Sequence, residues 1–408
     1  MRVTGIHLLK FRNYNDLCID IDADISVFFG ENAQGKTNIL EAVYLCSCLR
    51  SHRTSKDNEM IAHGSAEYEV DLSFYDSDRE KSLQITENGG KEERYIENVS
   101  VSYHESIPGE SIRTKNKRRV RHNGIILDRL SDFIGLFHAV IFAPEDLMMI
   151  KEGPAIRRRY VDILISQIRA SYFSDLLTYN KILMQRNSML KQMREGKEKK
   201  DYELIIIWDL SLAQVAARII TTRYYFVDKI GEIASKYHNI ISSGKEEINV
   251  KYRTMAGISN KDNEEEVNIK VLEKLKYIFK EDIERGNTMY GPHRDDLEIS
   301  LDNEGIKPFS SQGQQRTAVL SLKIAELEII RMETGKTPVL LLDDVMSELD
   351  SKRRKMLLSS IGEAQIILTA TDQSHIEKDF LKETDGRSIH YYKVISGQVI
   401  SLEKSGKK

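Results

Sequence analysis

Gly30-Glu31-Asn32-Ala33-Gln34-Gly35-Lys36-Thr37 is a glycine, four residues, a second glycine, a lysine and a threonine. That spacing suits phosphate chemistry. Backbone N–H groups of a glycine-rich loop and the positive end of a following helix cradle phosphates, while the lysine neutralises the outer ones and the threonine hydroxyl faces a metal ion. The context agrees: Val27-Phe28-Phe29 reads as the strand before the loop and NILEAVYLCSCL as the helix after it. Residues 30–37 together with Asn38 are therefore the expected nucleotide contacts, with Mg²⁺ as the expected metal.

Hydrolysis also needs a carboxylate for the metal and a base for water. Thr337-Pro338-Val339-Leu340-Leu341-Leu342-Asp343-Asp344 reads as a buried parallel strand ending in adjacent acids. Strand alternation turns consecutive side chains apart. Asp343 is accordingly expected beside Thr37 at the metal, and Asp344 with Lys36 in the catalytic role, Asp344 addressing the attacking water. Lys36 and Asp343 stand near opposite ends of the chain. One sheet must then be completed by two remote segments.

Those elements imply an α/β protein. Its amino-terminal part alternates as strands in VTGIHLLKF, LCIDIDADISVFF and YEVDLSFYD. From Pro154 to about Arg285 helical periodicity runs without another proline, and from Thr288 onwards strand, helix, strand, helix and strand return. The expected layout is a split nucleotide-binding head, 1–153 and 286–408, with a mixed sheet and a β-rich lobe, closed around a helical insertion at 154–285. A length of 408 residues allows two or three domains.

Composition narrows the class. The chain is 40% hydrophobic and 30% charged with 6 prolines, values of a globular chain rather than a disordered one. No apolar run reaches the roughly 18 residues of a membrane span, and charge inside MRVTGIHLLKFRNY is unlike a signal peptide. Three cysteines, Cys18, Cys46 and Cys48, argue against a disulfide framework and for a reducing compartment, with Cys46 and Cys48 acting as small apolar residues. The net charge of -3 conceals patches. RTKNKRRVR from Arg113 to Arg121 holds six cations, Arg113, Lys115, Lys117, Arg118, Arg119 and Arg121, within what reads as a long loop. With Arg157, Arg158 and Arg159 it is a candidate for phosphate-backbone contact with nucleic acid. A solvated charged face is the alternative. Acid concentrates in KDNEEEVN.

The phosphate loop, Phe309-Ser310-Ser311-Gln312-Gly313-Gln314-Gln315-Arg316-Thr317 and LLLLDDVMSELD together resemble the ABC-type ATPase heads of the SMC and RecF class. LLKFRNY, SHRTSKDNEMI, FAPEDLMMIKEGPAIRRRY and YGPHRDDL extend the resemblance over most of the chain. It implies that Ser311, Gln312, Gly313 and Gln314 form the signature that touches the γ-phosphate bound by another subunit. Residue chemistry fits this, since a serine before the helix TAVLSLKIAELEII sets a positive helix end there; a plain helix cap is the competing explanation. Asp350 would help hold the dimer interface and Asp372 occupies the switch position. Arg12 and Asn13 would approach the nucleotide, and Glu145 or Asp146 would lie near the metal-sensing position. His293-Arg294-Asp295 either orients interface groups or stabilises a turn.

The same resemblance implies an ATP-dependent homodimer that binds double-stranded and single-stranded DNA at gaps or junctions, assists recombinase loading with RecO and RecR, hydrolyses ATP slowly under DNA stimulation, and resides in the cytoplasm. Three other outcomes stay open: a head fused to a metal nuclease, a relative in phage defence or partner gating, and a non-catalytic nucleotide switch, the last because Asp344 is shorter than glutamate.

Overall fold

The computed structural model describes all residues except 22, 77–94, 106–116, 255–256, 303, 307–309, 373–385 and 403–408. The chain divides into two compact units, Met1–Leu147 with Val319–Lys408, and Met148–Ala318.

The first unit is built on two sheets. The antiparallel one has the order β2-β1-β4-β5-β6-β7, from β1 (Arg2–Phe11), β2 (Tyr14–Asp20), β4 (Glu67–Tyr75), β5 (Glu97–His104), β6 (Lys117–His122) and β7 (Ile125–Ile126). Alternation drives it: Tyr68, Val70, Leu72 and Phe74 of β4 are all buried while the residues between them are not. The second sheet has the order β15-β14-β3-β13-β12-β8. It comprises β3 (Ile25–Phe29), β8 (Ala139–Phe142), β12 (Val339–Asp343), β13 (Ile366–Ala370), β14 (Ile389–Ile395) and β15 (Gln398–Ser401). All its pairings are parallel except β14 with β15. β12 and β13 are buried at every residue, as apolar runs covered on both faces require. Helix α1 (Lys36–Cys48) follows β3, and both Cys46 and Cys48 are buried within it.

The two remote segments meet through specific polar contacts. The buried Gln365 side chain accepts from Val3 N and donates to the carbonyls of Val3 and Ala23. The amino-terminal ammonium donates to Thr337 O at 2.7 Å.

The second unit contains α2 (Pro154–Ile168), α3 (Ala170–Arg194), α4 (Ile206–Ser242), α5 (Glu264–Tyr277) and α6 (Phe279–Arg285). Beside them lies an antiparallel sheet of β9 (Ile248–Arg253), β10 (Asp296–Leu301) and β11 (Glu304–Gly305). Because β10 pairs along its length with β9, the chain stays in this unit past 285 and leaves it only within α7 (Gln312–Thr334). The insertion is therefore helical with a small sheet, over 148–318 instead of 154–285. The acidic run has a local explanation. Asn263 and Glu266 form a capping box, and Glu264, Glu265 and Glu266 occupy the positive first turn of α5. No helix among the described residues is long and apolar enough to cross a membrane.

Candidate nucleotide site

Strand register assembles the site. Asp343 of β12 pairs with Thr369 of β13, which pairs with Phe28 of β3, so three parallel strands end at one level. Ligands of open α/β sheets bind in the crevice beyond such ends. The phosphate loop leaves β3 there. Gly30 has φ 152°, and a β-carbon on it would collide with the Val394 carbonyl. Gly35 has φ 113°, and its β-carbon would lie 2.5 Å from Asn13 Nδ2 and 2.7 Å from the Tyr14 hydroxyl. The glycines thus answer to both backbone conformation and crowding.

The loop is held from outside. Asn13 Nδ2 donates to Gln34 O at 3.0 Å and Asn13 Oδ1 accepts from Asn38 Nδ2 at 2.8 Å. The buried Tyr14 hydroxyl donates to Gly35 O at 3.0 Å, and Gln34 Oε1 accepts from Ser396 N in the β14–β15 turn. Arg12 grips the wholly buried Glu41 with both Nε and Nη2, at 2.8 and 2.5 Å. Arg12 and Asn13 therefore act here on the frame of the loop. Glu41 was legible as the one acid within an apolar helix, but its partners Arg12, Ser51 and Arg53 were not.

Gly35 precedes α1 with no side-chain cap, and the first turn carries no acid. Its leading N–H groups and dipole are thus suited to an anion. Lys36 Nζ donates to the carbonyls of Gly30 and Glu31, which holds the ammonium over the loop. Burial lowers its pKa, against the pull of Asp344 and Asp343.

Thr37 Oγ1 donates to Asp343 Oδ1 at 2.9 Å, and Thr369 Oγ1 donates to the same oxygen at 2.8 Å. Asp343 is 5% exposed, and burial raises its pKa despite those two hydrogen bonds. A desolvated carboxylate beside a hydroxyl is a hard oxygen donor set that fits Mg²⁺. Thr369 was missed by sequence reasoning, which singled out only Asp372 in that stretch. Asp344 follows with φ 53°, its N–H donating to Thr369 Oγ1 at 2.9 Å, so the turn at the strand end directs its side chain separately from that of Asp343. Glu145 lies close enough to Asp343 to feel it: its pKa is raised, first by desolvation and then by Asp343, while Arg53 opposes. Asp146 instead accepts from Ala143 N at 2.9 Å, half-buried and within the electrostatic reach of Lys323. Arg53 also donates to Asn38 Oδ1 at 2.8 Å, an unforeseen cation near Asp343.

Of the expected signature residues, Ser311 and Gln314 form a capping box. Ser311 Oγ accepts from Gln314 N at 3.3 Å and Gln314 Oε1 accepts from Ser311 N at 2.7 Å. Gln312 and Gly313 form the first turn of α7. Asp350 caps helix α8 (Ser351–Ile361), accepting from Arg353 N at 2.9 Å. Asp372 is exposed two residues after β13. His293 and Asp295 are built into the second unit: Tyr179 OH donates to His293 Nδ1 at 2.7 Å, and Tyr252 OH donates to Asp295.

The basic run is a strand at its end rather than a loop, since 117–122 pairs with β5. Arg113 and Lys115 lie outside the described residues, as does the side chain of Lys117. Arg118 pairs with Asp57 and Arg121 with Glu69, while Arg119 is exposed. Arg157 pairs with Asp296 at 2.8 Å and Arg158 donates to Asp295 O at 2.6 Å.

Fold and site define an ABC-type P-loop ATPase head carrying an insertion. The family model for the RecF/RecN/SMC N terminal domain matches residues 2–386. The chain is 41% identical over 377 residues to the DNA replication and repair protein RecF of Acetivibrio thermocellus, covering 92% of this chain and 95% of that one. It is 39% identical over 384 residues to RecF of Lysinibacillus sphaericus, covering 94% and 96%. Solved structures of the recombination mediator protein RecF in the RecFOR pathway, as RecF-ATP and RecF-ATPrS, superpose with TM-scores of 0.84 and 0.83 at 34% and 35% identity, each over 98% of both chains. The chain belongs to the RecF family.

Proposed function

We propose that this protein is an ATP-dependent recombination mediator that closes as a homodimer on DNA gaps or junctions, assists recombinase loading with RecO and RecR, and is released by slow, DNA-stimulated ATP hydrolysis. The observation that carries the reading is the convergence of Lys36, Thr37, Asp343 and Thr369 at the ends of parallel strands, a site shaped for a metal-bound triphosphate. Thr37 and Asp343 would hold Mg²⁺, which supplies neutralisation of phosphate charge. Lys36 contributes a second, fixed cation, and Asp344 is placed to orient the attacking water.

The signature supports the dimer. The capping box uses Ser311 Oγ as an acceptor, which does not consume its own O–H. That hydroxyl and the positive end of α7 suit a γ-phosphate presented by a second copy. ATP then binds the closed dimer better than the monomers, and hydrolysis removes that advantage. Asp350 and Asp372 stand on segments following the metal acids and are assigned to the interface and the switch. Among the described cations of the basic run, Arg119 is the one presented to DNA phosphates, because Arg118 and Arg121 are matched by carboxylates.

Light scattering with and without ATP and Mg²⁺ tests the reading. The wild-type mass should double on ATP, and Lys36→Ala and Ser311→Arg should both remain monomeric. An ATP-dependent dimer in both variants refutes it.

A further inference from the structure

The expected signature residue Gln314 is joined to two polar groups of the second unit, the half-buried Glu246 and the buried His238. Gln314 Nε2 donates to Glu246 Oε1 at 3.1 Å, and the other carboxylate oxygen, Oε2, lies 3.2 Å from His238 Nε2. His238 is on α4 with a wholly buried side chain, and Glu246 stands in the turn leading to β9. That turn is itself tied down. Glu247 N donates to Asp302 Oδ1 at 2.9 Å and Asp302 N donates to Glu247 O at 2.9 Å.

The chemistry of an amide makes this arrangement directional. A side-chain carboxamide has a donor end and an acceptor end of nearly equal shape, and its neighbours decide which faces which. An ionised carboxylate only accepts. Glu246 therefore forces Gln314 to turn its NH₂ towards α4 and leaves the carbonyl oxygen for Ser311 N, the bond that closes the capping box. Reversed, the amide would put NH₂ against the Ser311 N–H and the carbonyl against the carboxylate, two like-with-like contacts. His238, in turn, holds Glu246 in place. Burial lowers the pKa of His238, so its neutral ring donates from Nε2 to the carboxylate.

We propose that Glu246 and His238 are positioning residues for the signature: they fix the orientation of Gln314, hence the geometry of Ser311 and the first turn of α7, and so connect the long helix α4 to the γ-phosphate contact made in trans. This rests on the trans-signature reading above. Neither residue touches nucleotide. Their loss should leave ATP loading of the monomer intact and weaken only the step that requires a formed signature.

The test compares full-length Glu246→Ala, Glu246→Gln, Gln314→Ala and the double variant Glu246→Ala/Gln314→Ala by steady-state ATP hydrolysis, with binding of a fluorescent ATP analogue to the monomer as the second readout. Losing the charge-assisted hydrogen bond that orients Gln314 loosens the signature that must meet the transition state, so Glu246→Ala should lower kcat about tenfold with analogue affinity unchanged. Glu246→Gln keeps the shape and can still present a carbonyl to Gln314, so it should recover most of the loss and guards against misfolding of the alanine variant. The double variant should be no slower than Gln314→Ala alone, since both substitutions break one connection. Ser311→Arg is run alongside. If it is inactive while Glu246→Ala keeps wild-type kcat, or while the two alanine losses simply multiply, the positioning role is overturned and the signature reading stands. If Ser311→Arg itself hydrolyses ATP normally, both fall.

Discussion

His293 should make the second unit acid-sensitive in a way that one substitution removes. Thr288 O accepts from Nε2 at 3.0 Å, which fixes the proton on that nitrogen, and Nδ1 accepts from Tyr179 OH at 2.7 Å. Protonating Nδ1 ends its acceptance from the Tyr179 hydroxyl and puts a charge into a buried site lined by cations. Burial, reinforced by Arg294, Arg158 and Arg186 and opposed by Thr288 O, holds the ring at about 4, against 6.5 for an ordinary histidine. The folded value lies below the unfolded one, so the stabilisation is complete above pH 6.5 and is lost as pH falls towards 4. A gap of that size is worth about 3 kcal/mol. His293→Gln can donate from its amide to Thr288 O and accept from Tyr179 without titrating.

Urea unfolding between pH 7 and 4 measures the difference, followed by fluorescence of Trp208. It is the single tryptophan of the chain and packs against the cluster of Leu190, Met193, Ile205, Phe279 and Ile283, so it reports on the second unit. At pH 7 the variant should be about 1 kcal/mol less stable, the usual cost of replacing a well-fitted buried polar group. By pH 4 the order should reverse, because only the wild type has lost the histidine contribution. His138, held at about 3 in the first unit, and His238, also lowered, are common to both proteins and cancel in the comparison. Parallel loss of stability in wild type and variant across this range would refute the reasoning.

Two further outcomes follow from the nucleotide site. Asp343→Asn should raise the melting temperature of the nucleotide-free protein at pH 7, since the raised carboxylate pKa means that the folded state bears the cost of the charge at any pH above it; calorimetry should also show a smaller gain on adding ATP and Mg²⁺, with hydrolysis reduced at least about 100-fold. An unchanged ATP shift would contradict the assignment of Asp343 to the metal. Gly35→Ala should weaken ATP binding at least about tenfold, because it pushes on Asn13 and Tyr14 as well as straining a left-handed backbone; Gly64→Ala, with φ 82° and nothing within 4 Å of the added carbon, is the control and should bind normally in equilibrium dialysis.

Much of the site was legible because its parts are local. A strand running into Gly30, a helix beginning at Lys36 and a hydrophobic strand ending at Asp343 are read from neighbours a few residues apart, and their chemistry follows from that order. The candidate signature was named through the family resemblance, with a serine before a helix as its residue-level signal, and the hydrogen bonds show the capping arrangement there. The frame was not legible. Asn13, named only as approaching the nucleotide, acts with Tyr14, Ser396 and Thr369 on residues 21 to 362 positions away, through bonds that exist only once the sheets have formed.

Charge shows the same division. By itself the sequence determined the phosphate loop, the paired acids, the helical insertion and the existence of a basic run within a chain of net charge -3. Only tertiary structure showed that Asp57 and Glu69, from other segments of the fold, are matched to Arg118 and Arg121. It likewise carried the boundary of the insertion past 285, through the pairing of β9 with β10. The physical reason is common to both: propensity and pattern act over a few residues, whereas hydrogen-bond and ion-pair partners are set by which distant strands and helices come to lie side by side.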